Sequence, residues 1–167
     1  EPIPHGCYMN TDCVARIKEM IDTIAEFGFQ GYFLDEPTPL RHCYCRACCE
    51  AFHQWYGGDL KKADEAEKEE FRKKCVVGYV KDIAAYCKTN HPQLETMACL
   101  MPCDREIWQE ASAIDNLDNL GTDIYWVNND KDVEEMTPMV NELDGLCRES
   151  GKVHHEWLQC WNVRAGK

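Results

Sequence analysis

Two short stretches carry residue types that could do chemistry. Leu34-Asp35-Glu36-Pro37 sets an acidic pair after an apolar run, and Cys43-Tyr44-Cys45-Arg46-Ala47-Cys48 follows a few residues later. The first reads as the end of a buried strand bearing a catalytic carboxylate, since buried strand ends rarely carry two adjacent acids without a reason. The second has the C-x-C-x2-C spacing that holds a tetrahedral thiophilic metal. Their closeness in sequence predicts a chemical site beside a metal-stapled loop.

Three thiolates leave one tetrahedral position for a fourth ligand. Cys7, Cys13, Cys49, His42 and His53 are the candidates. Cys49 is disfavoured because adjacent residues rarely both reach one metal. Cys7, just after Gly6 and before the first helix, can approach from a neighbouring strand end. A four-thiolate site has no open coordination position, so the expected role is structural. Cys75, Cys87, Cys99, Cys147 and Cys160 fall at apolar positions and read as core thiols.

A retaining glycosidase needs a carboxyl with a raised pKa and a second that attacks, about 5–5.5 Å away. Glu36 ends the first visible strand and Glu156 lies in the fourth, the layout of barrel strands four and seven. Strand alternation sets Trp157, Gln159 and Trp161 on one face and Glu156 on the other. Asp123 is therefore the fallback second carboxylate. Asp35 is expected to orient a sugar hydroxyl or to tune Glu36 by like-charge repulsion. Tyr125, Trp126, Trp157 and Trp161 offer flat rings for stacking on sugars, whereas Trp55 and Trp108 sit in helical patterns and read as core. His154 and His155, being adjacent in a strand, point to opposite faces and share no role.

The elements that must position these groups alternate along the chain. Val14, Ile17, Ile21 and Ile24 have helical spacing, and Gly28 supplies the stop. Strands are predicted over 31–36, 94–101, 122–127 and 153–161. Between them lie a short helix over 48–56, a long helix carrying Phe71, Cys75, Tyr79, Ile83 and Tyr86, and a helix with Ile107, Trp108 and Ala111 capped by Asp104. A last helix has Val133, Met136, Val140, Leu143 and Cys147 inward, with Asp132 and Glu135 as an acidic capping box. Strands separated by helices imply a parallel sheet. No glycine-rich phosphate loop follows any strand, which weakens a nucleotide-binding reading. Functional groups at carboxyl ends of strands fit a barrel mouth, and four units are about half of a (β/α)8 barrel. The expected fold is α/β, one domain over 1–167 forming strands four to seven of a TIM barrel, with a zinc-stapled loop at 38–50.

These residues resemble family 42 of the glycoside hydrolases, the barrel β-galactosidases, and related uncharacterised barrel proteins. In that family an Asn-Glu pair ends strand four, and a Cys-Tyr-Cys-x-x-Cys loop leads to a helix with an Ala-Phe pair. Asp35-Glu36, Cys43 to Cys48 and Ala51-Phe52 match that stretch, and His5-Gly6-Cys7 matches the upstream cysteine. The resemblance implies Glu36 as general acid/base and zinc on Cys7, Cys43, Cys45 and Cys48. It is specific over residues 5 to 60. Asp35 stands where the family has Asn, and Pro37 follows the glutamate directly.

The 167 residues suffice for one domain with a real core, and the net charge of −12 without a basic block argues against a nucleic-acid partner. The run from Lys61 to Glu70 mixes both signs and reads as a solvated helix start. No apolar run reaches membrane-span length. Twelve cysteines, clustered or scattered through helices, fit a reducing compartment better than a disulfide framework, so the expected location is the cytoplasm. Glu1-Pro2-Ile3-Pro4 is not a natural start. Open parallel edges predict a piece of a longer protein or pairing with another copy. The expected partner is a carbohydrate substrate, hydrolysed with retention. The rivals are a non-catalytic carbohydrate-binding module and a thiol-based metal or redox regulator.

Overall fold

A computed structural model describes residues 6–125, 134 and 136–158. In chain order the elements are α1 (Thr11–Glu26), β1 (Gly31–Asp35), α2 (Arg46–Tyr56), α3 (Glu65–Asn90) and β2 (Glu95–Cys99). A 3-10 helix (Pro102–Ile107), α4 (Trp108–Ser112), β3 (Asn119–Thr122), α5 (Met136–Glu149) and β4 (Val153–Glu156) follow. The chain divides into two compact units. One takes the residues up to Gln30 and Thr38–Leu94, the other Gly31–Pro37 and the residues from Glu95 on.

The first unit is helical. Asn10 caps α1, its Oδ1 accepting from the amides of Asp12 (2.9 Å) and Cys13 (3.3 Å). Asp64 and Glu67 form a reciprocal capping box that starts α3 inside the mixed-charge run. Gly57, at φ 75, ends α2 in the left-handed conformation that favours glycine. Phe52, Leu60, Phe71 and Cys75 make a small buried core, with the Phe52 and Phe71 rings edge-on at 5.3 Å. Asp22 of α1 ties to the end of α3, accepting from the Tyr86 hydroxyl at 2.8 Å and lying 2.7 Å from His91 Nε2.

The second unit is α/β with a four-stranded parallel sheet in the order β1-β2-β3-β4. Its register aligns Leu34, Ala98, Leu120 and His154 on one face, and Asp35, Cys99, Gly121 and His155 on the other. On the first face Leu34, Ala98 and Leu120 are buried, and α5 packs against β3 and β4. On the second, Phe33 approaches His155 (5.9 Å) and Trp157 (5.3 Å).

Three sequence expectations need correction. The third strand spans Asn119–Thr122, not 122–127, because all four of its residues are buried between flanking strands, which outweighs the poor strand propensity of Asn and Gly. Asp104 caps no helix: it is buried at a kink in the 3-10 helix, at φ −105 and ψ 26. The fourth strand stops at Glu156. Val133 and the Asp132–Glu135 capping box lie outside the described residues. No helix among the described residues is long and apolar enough to cross a membrane.

Candidate functional site

The four cysteines converge within the first unit. Cys43 closes a turn, its amide donating to the carbonyl of Leu40 at 3.0 Å. Cys45 is the N-cap of α2, and its side chain makes no cap bond, so the sulfur is free to turn inward. Cys48 lies one turn further on. Cys7 sits where the chain turns into α1, its carbonyl accepting from the Asn10 amide. Cys7 Sγ lies 3.4 Å from Cys45 Sγ and 3.3 Å from Cys48 Sγ, and Cys48 Sγ lies 3.6 Å from Cys43 Sγ. All four sulfurs fall within 4.8 Å of one another. A metal with bonds of about 2.3 Å to four tetrahedral sulfurs sets them about 3.8 Å apart. The donor set fits, and these four cysteines could hold a metal ion.

The other fourth-ligand candidates are engaged elsewhere or stay outside the cluster. Cys49 Sγ turns to the Tyr44 carbonyl and His53 Nδ1 to that of Gly58. Hydrogen bonds from the Cys48 thiol, and secondarily from Cys45, pull Cys7 down to about 5 against its burial. Burial pushes Cys43 up to about 11.

The carboxylates gather at the carboxyl end of the sheet in the second unit. Glu36 follows β1 at φ 43, a left-handed backbone that a side chain disfavours, and it precedes Pro37, which restricts it further. Alternation alone would aim Glu36 away from the Asp35 face; the left-handed turn breaks that alternation, and Glu36 meets Asp123. Asp123 is 2% exposed, and its carboxylate also bears on the Tyr125 hydroxyl, whose proton it helps to hold. Two carboxylates offer each other only acceptors. A proton on Glu36 turns the contact into a hydrogen bond to Asp123, and this, with burial and the Asp123 charge, pushes Glu36 up to about 7.

Glu156 approaches the same strand end. Its Oε1 accepts from the amide of Ile124, next to Asp123, at 3.4 Å, and burial pushes it up to about 7. Asp35 is exposed and raised by burial and by Glu36. Burial raises the Cys99 thiol, and the charges of Asp123, Asp35, Glu36 and Glu156 all add to that effect. Tyr125 is pushed up to about 12 by burial and by Asp123.

The structure thus joins Glu36 to Asp123, and brings Glu156 to the peptide beside that pair. Trp126, Gln159 and Trp161 lie outside the described residues. Trp157 is 47% exposed against Phe33. Trp108 is buried as core, but Trp55 is 39% exposed at the edge of Phe71, which corrects its reading as core. Sequence reasoning missed Asp144 and set His154 aside; Asp144 faces one ring nitrogen of His154 and Glu156 the other, and the spacing of two between His154 and Glu156 in one strand was the available signal. No protein-family model matches the chain, and no curated protein matches it.

Proposed function

We propose that the chain is a glycoside hydrolase of the retaining type, acting on a β-galactoside or a related sugar. The observation that carries this reading is the Glu36–Asp123 contact, in which a buried acceptor keeps a glutamic acid protonated near neutral pH. Such an acid can protonate a glycosidic oxygen. Acid and nucleophile stand about 5–5.5 Å apart in retaining enzymes. Asp123, which shares the Glu36 proton, is assigned to hold it. We assign Glu156, whose Oε1 reaches the Ile124 amide beside Asp123, as the attacking carboxylate. Its oxygen bonds the anomeric carbon as Glu36 protonates the departing alcohol. Glu36 next takes a proton from water, which displaces Glu156 and releases the sugar. Asp35, Tyr125, Trp126, Gln159 and Trp161 are assigned to sugar contacts.

We assign the thiol cluster to zinc in a structural role, since four thiolates leave no coordination position for substrate. The sequential order of the parallel strands supports an arc of a (β/α)8 barrel, β1 to β4 standing for strands four to seven. Such an arc leaves β1 and β4 for further strands of a longer chain, or a second copy, to pair. None of Cys7, Cys43, Cys45 and Cys48 is in a disulfide, which supports a reducing compartment such as the cytoplasm.

The test is hydrolysis of a panel of aryl glycosides by the parent and by Glu36→Gln. The parent should turn over at least one sugar, and the variant should lose about 10²–10⁴-fold while keeping its fold and metal. Turnover that survives Glu36→Gln sinks the assignment. Sugar binding by a folded parent without turnover moves the reading to a non-catalytic binding module, for which exposed Trp157 supplies a ring face.

A further inference from the structure

β4 and α5 bring three titratable side chains into line. His154 and Glu156 are two residues apart in β4 and share a face. α5 packs on that strand and sets Asp144 against the imidazole. His154 Nδ1 lies 3.7 Å from Asp144 Oδ1, and His154 Nε2 lies 3.6 Å from Glu156 Oε2. Both distances are too long for hydrogen bonds and short enough for ion pairs. The side chains of His154 and Glu156 are only 13% and 16% exposed.

Two atoms in this line are orphans. His154 Nε2 and Glu156 Oε2 are both buried without a hydrogen-bond partner, and they face each other. A buried polar atom left unsatisfied is costly, and one proton held between these two satisfies both. Glu156 Oε1 is already taken by the Ile124 amide, so Oε2 is the oxygen available to His154. Such contacts are often long in a free enzyme and tighten with substrate.

We propose that His154 is a positioning residue for Glu156, taking the proton of Oε2 onto Nε2 while Asp144 accepts from Nδ1–H on the other side of the ring. The proposal rests on the reading of Glu156 as the attacking carboxylate, which must be ionised to attack. The Glu156 O–H bond breaks, the His154 N–H bond forms, and the imidazolium charge lies between two carboxylates. Burial by itself favours the neutral forms, raising Glu156 and lowering His154; the pairing opposes both tendencies. Cys147 of α5 lies on the same packed face; burial raises its thiol, Asp144 adds to that, and its sulfur turns to the Leu120 carbonyl. Arg148 Nε binds Asp144 at 2.8 Å from further along α5. Lys152 Nζ donates to the carbonyls of Ile114 and Leu117. His155 points to the opposite face, and β3 presents only Leu120 and Thr122 in register.

The test is an NMR titration of the His154 ring, by carbon-bound proton and ring nitrogen shifts, in the free protein. Glu156→Gln should lower the His154 midpoint by about one pH unit or more, the effect of removing an opposite charge at this range. Asp144→Asn should lower it less and weaken the preference for a proton on Nδ1. A midpoint unchanged by Glu156→Gln overturns the proposal. Should that variant fail to fold, an Asp144→Asn variant with parental midpoint and parental Nδ1 occupancy overturns it instead. No substrate enters this measurement. A coupled His154 in a parent inert to every glycoside defeats the hydrolase reading and spares the pair; turnover with an uncoupled His154 does the reverse.

Discussion

The thiol cluster and the carboxylate cluster pose the same electrostatic problem and answer it differently. Each crowds groups of one kind that repel when ionised. Three pairs of the thiols sit 3.3–3.6 Å apart and all four within 4.8 Å, on a turn, a loop, a helix cap and the helix it starts. That arrangement suits one multivalent cation. The carboxyls come from ends of parallel strands, and Glu36 and Asp123 share a single proton that halves their charge. A cation can be stripped by a chelator, whereas a proton is governed by pH, so the two regions should answer to different reagents.

The largest effect is expected from metal removal. Structural zinc sites contribute on the order of 10 kcal/mol, so chelation should lower the helical signal and expose residues 38–60 to protease. Cys48→Ala should do the same without chelator. A chelated protein that melts like the untreated one breaks the comparison on its thiol side. Next comes Gly121→Ala, because a methyl group at 121 meets both the ring and the backbone carbonyl of His155. Backbone cannot yield as a flexible side chain can, and a loss of about 1–3 kcal/mol is expected by denaturant titration. A parental midpoint would mean that β3 and β4 approach less closely beneath the carboxylates.

The remaining effect is a slope. Glu36 holds its proton more tightly folded, at about 7, than at its ordinary value of 4.5. The folded state therefore binds more protons than the unfolded one between those values. Stability should be greatest below pH 4.5 as far as this group is concerned, decline as pH rises to 7, and level off above. Glu36→Gln should flatten the decline. Melting temperatures from pH 5 to 8 that follow the same slope in both proteins would break the carboxylate side of the comparison.

How much was legible in the sequence follows the range of each interaction. Cys43, Cys45 and Cys48 are fixed by a turn and a helix start, so their spacing alone foretold that they meet. The parallel sheet was legible because apolar runs alternate with amphipathic helices. β3 was misread because Asn119 and Gly121 are poor strand residues, buried by neighbours that sequence spacing does not reveal. The Glu36–Asp123 contact was hidden for another reason: alternation gives the face of a strand residue, and a left-handed glutamate past the strand end escapes that rule. His154 was set aside because strand alternation turns it away from His155, as the register does, but its neighbour two residues on went unweighed.

The left-handed backbone at Glu36 also bears on how this position can vary. Side chains there carry a conformational penalty, of order 1–3 kcal/mol and smallest for Asn and Asp, and glycine is relieved of it. Glycine has no carboxyl to share a proton with Asp123. Selection for stability alone would therefore drift toward glycine at this codon. A glutamate that persists there through rounds of random mutagenesis and functional screening would mark a residue retained for its acid rather than for the fold.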